Sequence, residues 1–154
     1  MIDPVLKEAI DIQGRRRDHM GTAIVQGQIW GVRARDWAEV QEGLYAPLFD
    51  AVLRETAVGA GTTLLDIGCG SGMFCQMAAK LGAQVSGLDA AEPLLAIARE
   101  RVPQGDFRAG EMEELPYANR TFDVVAGFNA FQFAASPSNA LREAAVCHDP
   151  VRRW

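Results

Sequence analysis

The pattern of hydrophobic and polar positions divides the chain into an upstream region with helical spacing and a downstream region with mixed spacing. Over residues 37–55, Val40, Leu44, Leu48 and Val52 recur every four positions. Four-residue spacing places side chains on one face of a helix, so the pattern predicts a helix with a single apolar stripe.

Downstream of residue 62, short apolar runs alternate with stretches of about ten residues that have helical spacing. The pattern predicts strands at residues 63–67, 84–88, 106–109 and 121–128, and helices at residues 73–81, 92–101 and 136–146. Pro93 suits the first turn of its helix, and Ser136 suits the N-cap of the last one. Alternation of this kind is typical of an α/β fold, with a parallel sheet covered by helices on both faces.

Composition and charge restrict the class of protein further. The chain has 154 residues, 49% hydrophobic and 23% charged, which is enough for one folded domain. A net charge of −5 argues against nucleic acid as a partner. The apolar runs are too short to span a membrane, and three cysteines without framework spacing suggest reduced thiols in the cytoplasm. Residues 1–20 are polar, and we expect a disordered leader there.

The main chemical signal is residues 66–72, which read Asp-Ile-Gly-Cys-Gly-Ser-Gly. They describe a strand that ends in a glycine-rich turn opening a helix, where free N–H groups favour negative ligand groups. A dinucleotide-binding turn would need glycine at position 73, where Met73 stands. The alternative without a ligand is a tight strand-to-helix turn.

Residues 66–72 resemble motif I of the class I S-adenosylmethionine-dependent methyltransferases, in particular the type 11-like group that acts on small molecules. Asp89 ends the second predicted strand, where an acid can accept both hydroxyls of a ribose; NAD-binding proteins share this feature, and a helix-capping aspartate is the alternative. Residues 110–117 resemble the family segment Gly-Asp-Ala-Glu-Asp-Leu-Pro-Phe, and residues 121–125 match its fourth strand.

The resemblance implies a Rossmann-like three-layer fold, S-adenosylmethionine as cofactor, and methyl transfer to a small-molecule acceptor. It also implies ten cofactor-binding positions: Asp66, Gly68, Cys69, Gly70, Gly72, Asp89, Ala90, Glu111, Met112 and Asn129. Residues 21–62 would form a helical lid carrying Trp30, Trp37 and Tyr45, and a role in packing is the alternative for each of these side chains. No catalytic base is evident, because His19 and His148 lie far from the motifs, and the cysteines lack the spacing of a metal site.

The family sheet has the strand order 3-2-1-4-5-7-6, whereas this sequence predicts only its first four strands. Residues 146–154 take the place of an expected Arg-Val-Leu-x-Pro-Gly-Gly turn. We therefore expect a partial, C-terminally truncated domain at residues 63–146 with the sheet order 3-2-1-4, followed by an irregular tail at residues 147–154. A one-nucleotide deletion near codon 146 is one hypothesis for this.

Such a domain would leave the edge of strand four open to self-association and would have reduced or no activity. Two other functions stay open. One is a cofactor-binding remnant or partner subunit without catalysis, and the other is an NAD-linked reductase.

Overall fold

The computed structural model describes residues 21–151. Four parallel strands form one sheet in the order β3-β2-β1-β4. Their bounds are β1 Thr63–Ile67, β2 Gln84–Asp89, β3 Asp106–Ala109 and β4 Val124–Ala126. The predicted fold class and strand order are confirmed. The expected leader at residues 1–20 lies outside the described residues.

Five α-helices of at least eight residues accompany the sheet within residues 21–151. They are α1 Ala23–Gly31, α2 Ala46–Glu55, α3 Met73–Lys80, α4 Glu92–Arg101 and α5 Pro137–Cys147. Pro93 lies in the first turn of α4, and the Ser136 hydroxyl accepts the backbone N–H of Asn139 at 3.4 Å, which caps α5. Both helix starts are therefore formed as the sequence predicts.

Successive residues of a strand point to opposite sides of the sheet. Apolar residues lie on both sides, and helices cover both faces. Leu64 belongs to the core beneath α3 and α4, with Phe74 and Leu95. Leu65, the next residue, belongs to the core beneath α5, with Ala144. The two cores make this a three-layer domain, with a layer of helices on each face of the sheet.

Strand β4 is shorter than the predicted residues 121–128. Its three residues pair with β1, and the chain then turns through Asn129, which has a φ of +50°. Upstream of β4, Phe122 forms a parallel bridge with His148, and the Asp149 N–H donates to the Phe122 carbonyl at 2.8 Å. The first residues after α5 thus lie beside the outer edge of the sheet.

The prediction of one helix over residues 37–55 is wrong. A π-helical turn (Trp37–Gln41) and a 3-10 turn (Glu42–Tyr45) precede α2, and together they rotate the side chains relative to a continuous helix. Val40 is 72% and Leu44 80% exposed, so the predicted apolar stripe faces solvent over most of its length. The buried positions of this segment are instead Ala38, Glu42, Phe49 and Leu53.

Within residues 21–151, no helix is both long enough and apolar enough to cross a membrane.

Candidate functional site

A cleft of about 930 Å³, counting its open mouth, lies at the carboxyl ends of the strands. Its floor comes from the turns that follow β1, β2, β3 and β4, and its roof comes from the segment at residues 22–49. Nine of the ten predicted cofactor positions line it: Asp66, Gly68, Cys69, Gly70, Asp89, Ala90, Glu111, Met112 and Asn129. The fold therefore brings together residues that are up to 63 positions apart in the chain.

The glycine turn has the backbone geometry that its sequence predicts. Gly68, Gly70 and Gly72 all have positive φ, between 55° and 81°. A Cβ on Gly72 would lie 2.7 Å from the Cβ of Ala98 in α4, which shows that Gly72 lets α3 and α4 pack closely. Gly72 does not line the cleft; the structure places it in packing contact with α4.

Several N–H groups of this turn already have acceptors within the protein. Gly68 and Cys69 both donate to the Leu88 carbonyl, at 2.7 and 3.1 Å, and Gly70 donates to Asp89 Oδ2 at 2.8 Å. The Met73 N–H, at the start of α3, donates to Glu42 Oε1 at 3.3 Å. A carboxylate of the protein therefore already lies at the first N–H of this helix, and it is the kind of negative group that the sequence predicts for this position.

Asp89 supports the turn and lines the cleft with the same carboxylate. Its Oδ1 accepts the Ala91 N–H at 2.8 Å, and its Oδ2 accepts that of Gly70. Burial raises the pKa of Asp89, and the backbone hydrogen bonds act in the opposite direction. Each carboxylate oxygen keeps a second lone pair, so Asp89 can still accept hydroxyl groups of a ligand.

Asp66 is 3% exposed, and its Oδ1 is buried without a hydrogen-bond partner. Burial raises the pKa of Asp66 well above its ordinary value, and the nearby carboxylates of Asp89 and Glu42 raise it further. A buried acceptor without a donor is unfavourable, and a cationic group in the cleft would both satisfy it and favour its ionised form.

The charge of the cleft suits a cation. Four carboxylates line it (Glu42, Asp66, Asp89 and Glu111), and none of the described lining residues is lysine, arginine or histidine. S-adenosylmethionine carries a sulfonium, an ammonium and one carboxylate and is therefore a net cation, whereas a dinucleotide carries a pyrophosphate that these acids would repel. The residues present therefore fit S-adenosylmethionine and disfavour NAD.

The other end of the cleft is joined to the roof at residues 22–49, which we call the N-terminal segment. Glu111 Oε2 accepts the Ala23 N–H at 2.9 Å at the start of α1, and the Thr22 hydroxyl donates to the Phe133 carbonyl. Glu111 thus lies in the cleft as predicted, with one oxygen already committed to α1.

Aromatic rings form much of the roof and one wall. Trp30 and Trp37 meet edge to face with centroids 5.3 Å apart, and Trp37 lies 5.9 Å from Tyr45. Phe49 and Phe128 continue the wall at 4.8 Å. The aromatics predicted for the lid therefore line the cleft, and their ring faces and edges make the wall apolar.

Glu42 is the site residue that sequence reasoning missed. It occupies a position that a helical pattern counts as polar surface, yet it is 3% exposed and lines the cleft. Its partner Arg101 lies 59 residues away, and no local pattern links the two. Among the described residues no cluster could hold a metal ion, and His148 lies outside the cleft.

The fold and cleft define an α/β nucleoside-binding domain with the architecture of class I S-adenosylmethionine-dependent methyltransferases. Residues 65–150 match the family described as methyltransferase domain, type 11. The chain belongs to this family, whose cofactor is S-adenosylmethionine.

The chain is 41% identical over 108 residues to the ubiquinone biosynthesis O-methyltransferase of Ruegeria pomeroyi, covering 68% of this chain and 42% of the relative. It is 36% identical over 112 residues to the enzyme of that name from Bordetella parapertussis, covering 69% and 46%. The chain therefore spans less than half the length of these curated relatives.

Solved structures agree on the fold. The [4+2]-cyclase SpnF superimposes with a TM-score of 0.62 at 28% identity, over 68% of this chain and 41% of that one. A TehB-like S-adenosylmethionine-dependent methyltransferase from Corynebacterium glutamicum gives 0.63 at 21% identity, over 77% and 68%. One of these two proteins is named for a cyclisation, so a shared fold does not by itself establish methyl transfer.

Proposed function

We propose that this chain binds S-adenosylmethionine in the cleft and forms the cofactor-binding part of an O-methyltransferase for a small-molecule acceptor. One observation carries the proposal: nine predicted cofactor positions line one acidic cleft in which Asp66 Oδ1 lacks a partner. The names of the curated relatives support O-methylation.

Each part of the cleft suits one part of the cofactor. Asp89 would accept the hydroxyls of the sugar, and Glu111 with the backbone of Met112 would flank the nucleobase. Asp66 would face the ammonium group at the amino-acid end, next to the glycine turn. Asn129, at the turn after β4, would lie near the same end.

When bound, the cofactor supplies a methyl group on an electrophilic sulfonium. The protein's own contribution is to hold the two reactants in line and to exclude water. The wall that contains Trp37, Phe49 and Phe128 is suited to the second task, because it is apolar and adjoins the glycine turn. We assign no catalytic residue.

A second candidate is a cofactor-binding protein without catalysis. It is favoured by the structural similarity to SpnF, a protein named for a cyclisation and not for methyl transfer. An NAD-linked reductase is disfavoured by the acidic cleft and by Met73.

Calorimetric titration with S-adenosylmethionine and, separately, with NAD tests the proposal. We expect binding of S-adenosylmethionine alone, and we expect Asp89→Ala to weaken it by about 1–3 kcal/mol because two charge-assisted hydrogen bonds are lost. Asp106→Ala, which removes an exposed ion pair with Arg108, is the matched control and should leave the affinity unchanged.

Binding of NAD without S-adenosylmethionine would overturn the proposal, and an unchanged affinity of Asp89→Ala would reduce Asp89 to a structural cap. Transfer of labelled methyl to acceptors in a cell extract then separates an enzyme from a binding protein.

We further propose three points about the context of the domain. Residues 21–62 act as its lid, residues 63–146 form the cofactor-binding part and residues 147–154 a tail. The protein works in the cytoplasm, which the free thiols of Cys69, Cys75 and Cys147 support. It self-associates through the outer edge of β4.

A further inference from the structure

A buried polar junction joins the N-terminal segment to the glycine turn and to the end of α4. At its centre, Glu42 accepts from the Ser71 hydroxyl at 2.6 Å and pairs with Arg101 Nη1 at 2.5 Å. Arg101 in turn donates to the carbonyls of Ser71 at 2.9 Å and Ala38 at 3.2 Å. With the Met73 N–H bond, this Glu42 junction links three separate parts of the chain.

The side chains of the junction are largely shielded from solvent. Glu42 is 3% exposed, Ser71 is fully buried, and the Arg101 side chain is 20% exposed. A buried carboxylate is tolerated only where donors surround it, and here a guanidinium, a hydroxyl and a backbone N–H do so. Both oxygens of Glu42 have donors inside the protein. The carboxylate therefore holds together the parts of the chain that surround the cleft.

The junction adjoins the part of the cleft assigned to the amino-acid end of the cofactor, and Glu42 itself lines that cleft. Between Asp66 and Ser71 runs the glycine turn, and a Cβ on Gly70 would lie 3.5 Å from the indole nitrogen of Trp37. Trp37 and Glu42 belong to the same segment, one turn apart. The segment therefore contacts the turn through Trp37 and Glu42, which both line the cleft.

We propose that Glu42 is a positioning residue that locks the N-terminal segment onto the glycine turn and so keeps bound S-adenosylmethionine enclosed. This inference rests on the proposed function, since it concerns retention of that ligand. It assigns a role to the Glu42 junction alone and none in the chemistry of transfer.

Ser71→Ala is the decisive variant. The Ser71 side chain does not line the cleft, so an altered ligand affinity must act through Glu42. The substitution leaves the Glu42–Arg101 pair in place, which protects the fold. Glu42→Gln removes the charge as well and should have the larger effect. The matched controls are Ser138→Ala, in the exposed first turn of α5, and Glu143→Gln, whose carboxylate accepts a backbone N–H outside the cleft.

Stopped-flow measurement of S-adenosylmethionine association and dissociation gives the readout that a loss of stability would not mimic. We expect dissociation to become about tenfold faster in Ser71→Ala, since a hydrogen bond to a charged group is lost, with little change in association. Iodide quenching of Trp30 and Trp37, measured in a Trp154→Phe background, should rise in the same variants, because both side chains belong to the released segment.

The outcomes separate the two proposals. A wild-type protein that does not bind S-adenosylmethionine refutes the proposed function. A wild-type protein that binds, with dissociation from folded Ser71→Ala unchanged within twofold, refutes the role of Glu42 alone. Circular dichroism establishes folding, and Ser71→Ala decides the question where Glu42→Gln does not fold.

Discussion

Asp66 shows how a single residue can be unfavourable for the fold and favourable for the ligand. Its carboxyl is buried beside two other acids, and one of its oxygens has no donor. An apolar residue or an amide would suit the empty protein better at this position. Retention of a carboxyl there is consistent with a cationic ligand that supplies the missing partner, in keeping with strained groups at functional sites.

Asp66→Asn should therefore stabilise the ligand-free protein and weaken cofactor binding. At neutral pH we expect the free energy of unfolding to rise by about 1 kcal/mol, because an ionisable carboxyl buried next to Asp89 and Glu42 is replaced by a neutral amide. Binding of S-adenosylmethionine should weaken about tenfold, since an amide cannot pair with an ammonium group as a carboxylate does. Urea unfolding and calorimetry measure the two effects.

The same residue predicts a pH dependence with a definite sign. The pKa of Asp66 is higher in the folded state than its ordinary 3.8, so the folded protein binds the proton more tightly. The contribution of this tighter proton binding to the free energy of unfolding is fully present below pH 3.8. It is lost as the pH rises through the raised pKa of the folded state. The difference in unfolding free energy between wild type and Asp66→Asn should follow this course, whereas a difference independent of pH would contradict the assignment.

At the scale of elements, the glycine turn sets how closely α3 approaches α4. Gly72→Ala should destabilise the domain by about 2–4 kcal/mol, because it combines a φ of +81° with a Cβ placed 2.7 Å from that of Ala98. Gly59→Ala is the control, since a Cβ there meets nothing within 4 Å and the φ of Gly59 is not positive. Thermal unfolding that lowers both variants equally would refute this explanation.

The elements also show where sequence reasoning succeeds. Over residues 63–109 each strand or helix matches its predicted bounds within one residue, because period-two and period-3.6 patterns are separated there by glycine, alanine-rich and proline-containing turns. Nine of the cleft residues were located by the resemblance of the glycine turn and the later segments to the methyltransferase family.

The prediction for the N-terminal segment was wrong because the fold of this segment depends on residues that are distant in the chain. Leu44 is apolar and 80% exposed, whereas Glu42 is charged and buried. Arg101 and Ser71, which the fold brings close to Glu42, make the burial of Glu42 possible. Local periodicity contains no information about these two partners. The π-helical and 3-10 turns then shift the register, so a continuous helical pattern selects the wrong face.

For the whole molecule, the outer edge of β4 is the feature that bears on association with a second chain. The Asp123 N–H donates to the Thr63 carbonyl at 2.9 Å, so Asp123 and Val125 direct their backbone groups towards β1. By alternation, Val124 and Ala126 direct theirs outwards, in line with Phe122, which pairs with the residues after α5. Among the described residues, none forms a strand beside this part of the edge.

An edge of this kind favours pairing with a second chain, so we expect the sedimentation coefficient of the wild-type protein to rise with concentration. Ala126→Pro removes the outward N–H and leaves the bonds to β1 intact, so self-association should weaken about tenfold while the sheet stays folded. Ala118→Pro, in an exposed loop, controls for the added proline.

Because the cleft lies at the carboxyl ends of the strands, at right angles to this edge, S-adenosylmethionine should bind the associated and the separate chains equally. Sedimentation independent of concentration in the wild type would show that the edge is already satisfied, and the proposed self-association would then be abandoned without affecting the cofactor site.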